Sequence, residues 1–334
     1  MISMKKWNYL VITLLLIVIV GLFTAMAMAA GDSTEKIVLK LAHNGSAEHA
    51  FQFGYMKFKE ILEKEAPGRF EVQIFPSEQL GPDENCSELV KMGSIAGNAA
   101  NAAAFVPEAD IFNFPFIFKD LDHFYRVLDG APGERVARAI EDKLNCVVLG
   151  YFFSGIRNEW NKKRPVLVPK DLVGLKIRTL GSPIFIDTFN ALGAQATPMS
   201  FGEVYTAIQQ GVIDGAETDH VDLLIEKFYE VTKYVSLTGH IYLAIPFIFS
   251  EAILNKLTDD EKELIIEAGK EAVSYQREVM EQQEVDARKK LESEHGIEFF
   301  DVDVSLFQEA TKPIYVKYAD SVGGLGYIEE IINY

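Results

Sequence analysis

Two cysteines, two tryptophans and six histidines are spread over 334 residues, and this scarcity excludes several chemistries at once. None of His43, His49, His123, His220, His240 and His295 stands at metal-ligand spacing from another histidine or from Cys86 or Cys146, so no metal centre is expected. The sequence also lacks a G-x-S-x-G elbow, a P-loop, an H-E-x-x-H pair and a dinucleotide-binding glycine fingerprint. No catalytic residue and no cofactor are therefore assigned. Basic residues are in short supply, 32 against 49 acidic ones, for a net charge of −17, and nucleic acid is excluded as a partner because phosphate neutralisation needs clustered Lys and Arg. An anionic ligand would face the same repulsive field, so only a local arginine pocket could hold one.

A long hydrophobic run occupies residues 9–23, behind Lys5 and Lys6 and ahead of Ala25, Ala27, Ala29 and Ala30. Basic start, apolar middle and alternating small residues form a secretory signal peptide over residues 1–30. Cleavage after Ala29 or Ala30 and a periplasmic mature protein are expected, with an uncleaved membrane anchor as the alternative. No cysteine follows the run, which argues against lipid attachment. Removing the two lysines takes the net charge from −17 to −19. Cys146 sits in the apolar run Val147-Val148-Leu149 and is expected to be free and buried; pairing with Cys86 is the alternative.

Alternation of Ile37, Leu39 and Leu41 gives a first strand ending at Ala42-His43-Asn44-Gly45. A helix striped by Phe51, Tyr55, Phe58 and Leu62 follows, then a strand at Phe70, Val72 and Ile74, which together make a βαβ unit. Helices are expected near 84–92, 120–128 and 133–144, and a buried strand over 146–152. Residues 95–104, rich in Ala and Asn, fit no element. At Ser154-Gly155 the pattern breaks, and residues 233–248 read as a return crossing. One long surface helix is expected over 258–294, and the tail from 302 is expected to pack on the second lobe. The expected fold is thus α/β and two-lobed, with a hinge and a central ligand cleft. Residues 31–153 with about 240–280 would form lobe I, and 154–239 with about 281–334 lobe II.

Residues 171–219 carry the densest information. Ser182 caps a helix begun by Pro183, Ser200 and Glu203 form a capping box, and Arg178 closes a short strand. Strand ends are where open α/β sheets bind ligands. A guanidinium fork matches a carboxylate in two parallel hydrogen bonds, so Arg178 and Arg157 are carboxylate candidates. On pattern alone each could equally be a surface ion pair. Asp214, Glu217 and Asp219 could instead serve acid–base catalysis, which keeps an exported hydrolase or lyase open as the rival reading.

The runs Pro169–Arg178, Gly193–Tyr205 and Gln209–Glu217 resemble the solute-binding subunits of tripartite ATP-independent periplasmic (TRAP) transporters. Phe75-Pro76-Ser77-Glu78-Gln79-Leu80-Gly81, Phe105-Val106-Pro107-Glu108 and Phe116-Ile117-Phe118-Lys119-Asp120 agree with them in the same order. The resemblance implies the periplasmic-binding-protein fold and a monomeric receptor that closes over an organic acid, such as a sugar acid, and delivers it to the small and large membrane subunits of a permease. A receptor that presents its ligand to a sensor fits equally. Arg178 would clamp the carboxylate, Arg157 would assist, and Phe201 would pack on the ligand. His43, Asn44, His49, Glu78, Asn98 and Asn101 would face the cleft. Where the family often has asparagine after D-G-x-E, this chain has Thr218 followed by Asp219, and with Glu217 these would read the ligand's hydroxyl groups.

Overall fold

The computed structural model of the protein describes residues 36–104 and 106–334. The expected leader at 1–30 lies outside the described residues. The helices are α1 (Ala50–Glu65), α2 (Asp83–Lys91), α3 (Leu121–Leu128), α4 (Ala131–Leu144), α5 (Pro183–Ala191), α6 (Val204–Gln209), α7 (His220–Ile225), α8 (Glu251–Leu254), α9 (Asp259–Ser293), α10 (Val304–Tyr318) and α11 (Leu325–Asn333). The strands are β1 (Ile37–His43), β2 (Phe70–Phe75), β3 (Gly97–Ala99), β4 (Cys146–Asn161), β5 (Lys176–Thr179), β6 (Gln195–Pro198), β7 (Gly215–Thr218), β8 (Tyr234–Ser250) and β9 (Glu298–Asp301). All nine belong to one sheet in the order β2-β1-β3-β8-β4-β7-β5-β6, with β9 beside β8. Among the described residues no helix is long and apolar enough to cross a membrane.

The long antiparallel strands β4 and β8 form the spine. One end, where Cys146 faces Ser250, carries β3 and β1; the other, where Asn161 faces Tyr234, carries β7 and β9. Apolar side chains separate accordingly. Ile111, Phe114, Phe124, Ile140 and Phe153 gather at the first end, while Trp160, Val204, Ile208, Phe228 and Leu291 gather at the second, with Ile177, Phe189 and Phe307 beside them. This is the two-lobed α/β fold expected.

Several expectations gain detail. Ser182 caps α5 through Ile184 N, at 3.2 Å, and the Ser200–Glu203 capping box is present. Both cysteines are free and buried. The unassigned stretch 95–104 supplies β3, parallel to β1. The tail from 302 divides: α10 packs beside α5, while α11 lies on α3 and α4, where Tyr327 donates to Pro132 O at 2.9 Å and the His123 ring meets Ile331 O at 2.9 Å. Tyr327, Ile328 and Ile331 are buried there, so apolar burial draws the end of the chain to that side.

The break expected at Ser154-Gly155 is a bulge instead of a strand end. The register of β4 against β8 shifts between Phe153 and Ile156, and Gly155 takes φ +74°, a left-handed conformation that costs glycine little. The backbone of Phe153 there turns to α9, with Gln276 accepting from its N–H at 2.9 Å and donating to its C=O at 2.8 Å. Eight residues further along α9, Glu284 accepts from His220 N at 3.2 Å. The long helix is thus not merely a surface element, since its buried stripe of Ile265, Ala268, Ala272, Gln276, Met280 and Leu291 runs past the bulge.

A Cβ at Gly155 would lie 2.2 Å from Asp219 Cβ, whereas one at Gly174, with a similar φ of +82°, would meet nothing within 4 Å. Gly174→Ala is expected to cost only the left-handed backbone penalty, about 1–2 kcal/mol. Gly155→Ala should cost about 1–3 kcal/mol more through overpacking. Equal shifts of the two denaturation midpoints would show that the bulge is not sterically locked.

Candidate functional site: a cleft with one unengaged arginine

A cavity of about 310 Å³ opens between the two ends of the spine. From one side it is walled by Asn44 after β1, Glu78 after β2, Asp83 and Glu84 at the start of α2, and Asn101 after β3. From the other come Arg178, Met199, Phe201 and Asp222, with Arg157 and Ser154 on β4 at its floor. Strand ends and helix starts converge here because a parallel βαβ connection places them on one edge of the sheet.

Arg178 is 4% exposed, and its Nε and Nη2 both donate to Met199 O, at 3.1 and 2.9 Å. No side-chain carboxylate pairs with it among the described residues, and Nη1 is left without a protein partner there. Its carbon Cζ stands 5.8 Å from the centre of the Phe201 ring, which in turn meets Phe228 edge-on at 5.8 Å. Burial and the neighbouring Arg157 push its pKa down to about 10, against the pull of Glu217, so it stays cationic at neutral pH and poorly solvated. Such a guanidinium gains most from a carboxylate brought in from outside.

Arg157 is differently placed. Its Nε and Nη2 donate to the Glu217 carboxylate, Nη2 at 2.9 Å from Oε1, and Nη2 also donates to Glu217 O. Burial works against both charges, but Arg157 and His240 hold the Glu217 carboxyl below its usual range, and Glu217 in turn raises Arg157. The Glu217 side chain is fully buried, and His240 Nε2 stands 3.5 Å from its Oε2. Arg157 lines the cavity yet is spoken for by protein.

Of the residues expected at the ligand, Arg178, Arg157, Phe201, Asn44, His49, Glu78 and Asn101 meet around the cavity; Glu217, Thr218, Asp219, His43 and Asn98 stand behind its wall. The Thr218 hydroxyl accepts from Trp160 Nε1 at 3.0 Å and donates to Asp219 O at 3.0 Å. Asp219 caps α7, accepting from Asp222 N at 2.8 Å. Thr218 and Asp219 thus hold the indole and the helix start and lie outside the cavity lining, with Asp219 Oδ2 buried and without a hydrogen-bond partner among the described residues. The ring of His43 meets Gln52 Oε1 at 3.1 Å, and Asn98 donates to Asp83 O and Ser87 Oγ at 3.2 and 3.3 Å. His49 caps α1, accepting from Phe51 N at 3.1 Å; burial pushes its pKa down to about 3, so it is neutral. Asp214, the remaining member of the acid cluster, accepts from Lys176 N at 3.0 Å and pairs with Lys163, remote from the cavity lining. Asp214 therefore stands apart from Glu217 and Asp219, and none of the three lines the cavity. No metal-holding cluster occurs among the described residues.

Asp83 and Asp222 are among the lining residues that the sequence pattern did not single out. Asp83 accepts from Asn44 Nδ2 at 2.9 Å, and burial together with Glu78 and Glu84 pushes its carboxyl up to about 8. Asp222, 6% exposed, faces His49 Nε2 at 3.7 Å and is raised well above the usual carboxyl range by burial and by Asp219 and Glu226. Both sit at helix starts, where an acid reads as a favourable end charge, and only the fold turns them toward a common space.

Residues 41–321 match the family described as bacterial extracellular solute-binding protein, family 7, or DctP. A solute-binding protein of Chromohalobacter salexigens is 35% identical over 279 residues, 82% of this chain and 80% of that one. A TRAP periplasmic solute-binding protein from Polaromonas sp. JS666, solved with D-erythronate bound, is 31% identical with a TM-score of 0.85 over 89% of this chain and 98% of its own. One from Roseobacter denitrificans OCh 114, with L-galactonate bound, is 31% identical with a TM-score of 0.84 over 90% and 99%. The chain therefore belongs to bacterial extracellular solute-binding protein family 7, the periplasmic solute-binding proteins of TRAP transporters.

Proposed function

We propose that this protein captures an organic acid of the sugar-acid class in the periplasm and delivers it to the small and large membrane subunits of a TRAP permease. The observation that carries the reading is Arg178, a buried guanidinium in a cavity with no acidic partner of its own. The ligand carboxylate pairs with it, Phe201 packs on the carbon chain, and the amides and hydroxyls of Asn44, Asn101, Ser154 and Ser200 meet the ligand's hydroxyl groups. Relatives that hold D-erythronate and L-galactonate support this chemistry. The bulge at 153–156 and Gly239 on the facing strand, with φ +53°, are the hinge about which the lobes close. Residues 1–30 act as the cleaved signal peptide, the mature protein works as a monomer, and it binds its ligand without converting it. Four- to six-carbon aldonic and uronic acids should raise the melting temperature, and ligand recovered after binding should be intact.

Arg178→Ala is expected to weaken binding by about a hundredfold or more in isothermal titration, because two charge-assisted hydrogen bonds are lost. Arg178→Lys should restore only part of the loss, since an ammonium lacks the planar fork. Unchanged affinity in Arg178→Ala would remove the anchor.

The cavity acids give a second prediction, for the ligand-free protein. Asp83 keeps its proton up to about pH 8 when folded, against an ordinary value of 3.8. Between those values the folded state binds a proton the unfolded chain has lost, so this carboxyl's share of stability falls as pH rises and is gone above its folded pKa. Asp83→Asn should raise the denaturation midpoint relative to wild type at pH 8 and leave it nearly unchanged near pH 4. A difference of opposite sign at pH 8 would mean that Asp83 is ionised in the folded protein.

A further inference from the structure

The charges around the cleft do not balance in the way a doubly charged ligand requires. Arg157 and Arg178 are the cations of its wall, and Arg157 is paired with Glu217 along one edge of its guanidinium, through Nε and Nη2, which offsets its charge. His49 is neutral, and the Asn44 amide is given to Asp83. One cation is left. Against it stand Glu78 and Glu84, while burial holds the Asp83 and Asp222 carboxyls on the same wall in their protonated form.

Glu78 is the most deliberately placed of these. It and Ser77 occupy consecutive left-handed positions, φ 55° and 54°, which cost non-glycine residues free energy and persist only where the surroundings hold them. Ser77 N donates to Gly45 O at 2.8 Å and Glu78 N to His43 O at 3.3 Å, which ties the turn to the end of β1. The Glu78 carboxylate then reaches across the cleft to Gly202, where a Cβ would lie 2.8 Å from its Oε2. Glycine at 202 leaves room for this carboxylate from the opposite wall.

We propose that the cleft selects monocarboxylates and rejects the matching dicarboxylates, with Glu78 as the residue that sets the limit and Glu84 beside it. This rests on the reading of Arg178 as the carboxylate anchor. A sugar acid with one carboxylate pairs with Arg178 and turns its hydroxyl donors toward Glu78. Oxidation of its far end to a second carboxylate replaces a donor with an anion that has no cation to meet and faces carboxylates instead.

The test compares galactonate with galactarate, and a four-carbon aldonate with its dicarboxylate, by isothermal titration at pH 7.5. The monocarboxylate of at least one pair should bind at least about tenfold more tightly than its partner. Glu78→Gln and the double variant Glu78→Gln, Glu84→Gln should shrink that ratio by about tenfold, chiefly through tighter dicarboxylate binding. The single variant keeps the test open if the double one folds poorly. Dicarboxylates that bind wild type as well as their partners, or a ratio untouched by either variant, would overturn the inference while leaving the anchor intact. If no acid of either series binds, the anchor reading itself fails, and this inference with it.

Discussion

The buried ion pair of Arg157 and Glu217 is the constraint on which the rest of the cleft depends. It joins β4 to β7, and His240 on β8 reaches the same carboxylate, so three adjacent strands share one charge cluster at the point where the two lobes meet. Taking two charges out of water costs several kcal/mol per ion, and their attraction in a dry site roughly repays it, so such a pair adds little net stability. Losing one partner is another matter, since the orphaned charge costs about 3–5 kcal/mol. The pair therefore acts less as a brace than as a rule about charge: it fixes Arg157 in place and leaves Arg178 as the cation that a ligand can use.

That rule resolves how so acidic a chain can hold an anion. The net charge of −17 acts mainly through surface groups, whose fields fade over a Debye length of about 8–10 Å. Inside the cleft a carboxylate about 4 Å from a guanidinium gains about 4 kcal/mol at an effective dielectric near 20, against about 1 kcal/mol in water. The local term wins because Arg178 is almost fully withdrawn from solvent and its own hydrogen bonds go to a backbone carbonyl, which leaves its charge uncancelled.

Much of this was legible from sequence, and the parts that were not share a cause. Periodicity gave β1, β2 and α1, and cap residues located α5 and the 201–209 turn, because both are local effects that survive without knowledge of neighbours. The motifs behind the resemblance pointed to Arg178 and Phe201, and both line the cavity. Gly155 was misleading: a glycine that ends a pattern and a glycine that lets a strand bulge look alike until the partner strand is known. Glu217, Thr218 and Asp219 sit in a motif tied to ligand recognition, yet they bond to Arg157, Trp160 and the start of α7 and stand outside the cavity lining. Asp83 and Asp222 became visible only in three dimensions, since nothing in one dimension brings the starts of α2 and α7 to a single cavity.

Protein contacts cross the cleft at several points, among them Ser182 to Asp110 and Glu78 to Gly202. Ser46 N donates to Glu226 Oε1 at 3.1 Å from one lobe to the other, and Gln283 Nε2 donates to Glu48 O at 2.8 Å. Each such hydrogen bond contributes only about 0.5–1.5 kcal/mol net, too little to drive a shift from 1:99 to 99:1, which needs about 5.5 kcal/mol of differential binding. A sugar acid held as proposed, by Arg178 and Phe201 on one wall and Asn44 on the other, would make its full set of contacts only when both walls are present. The carboxylate anchor and the contacts of Asn44 and Asn101 thus belong to different walls, and the binding energy of the second set is what would distinguish the closed state from the open one.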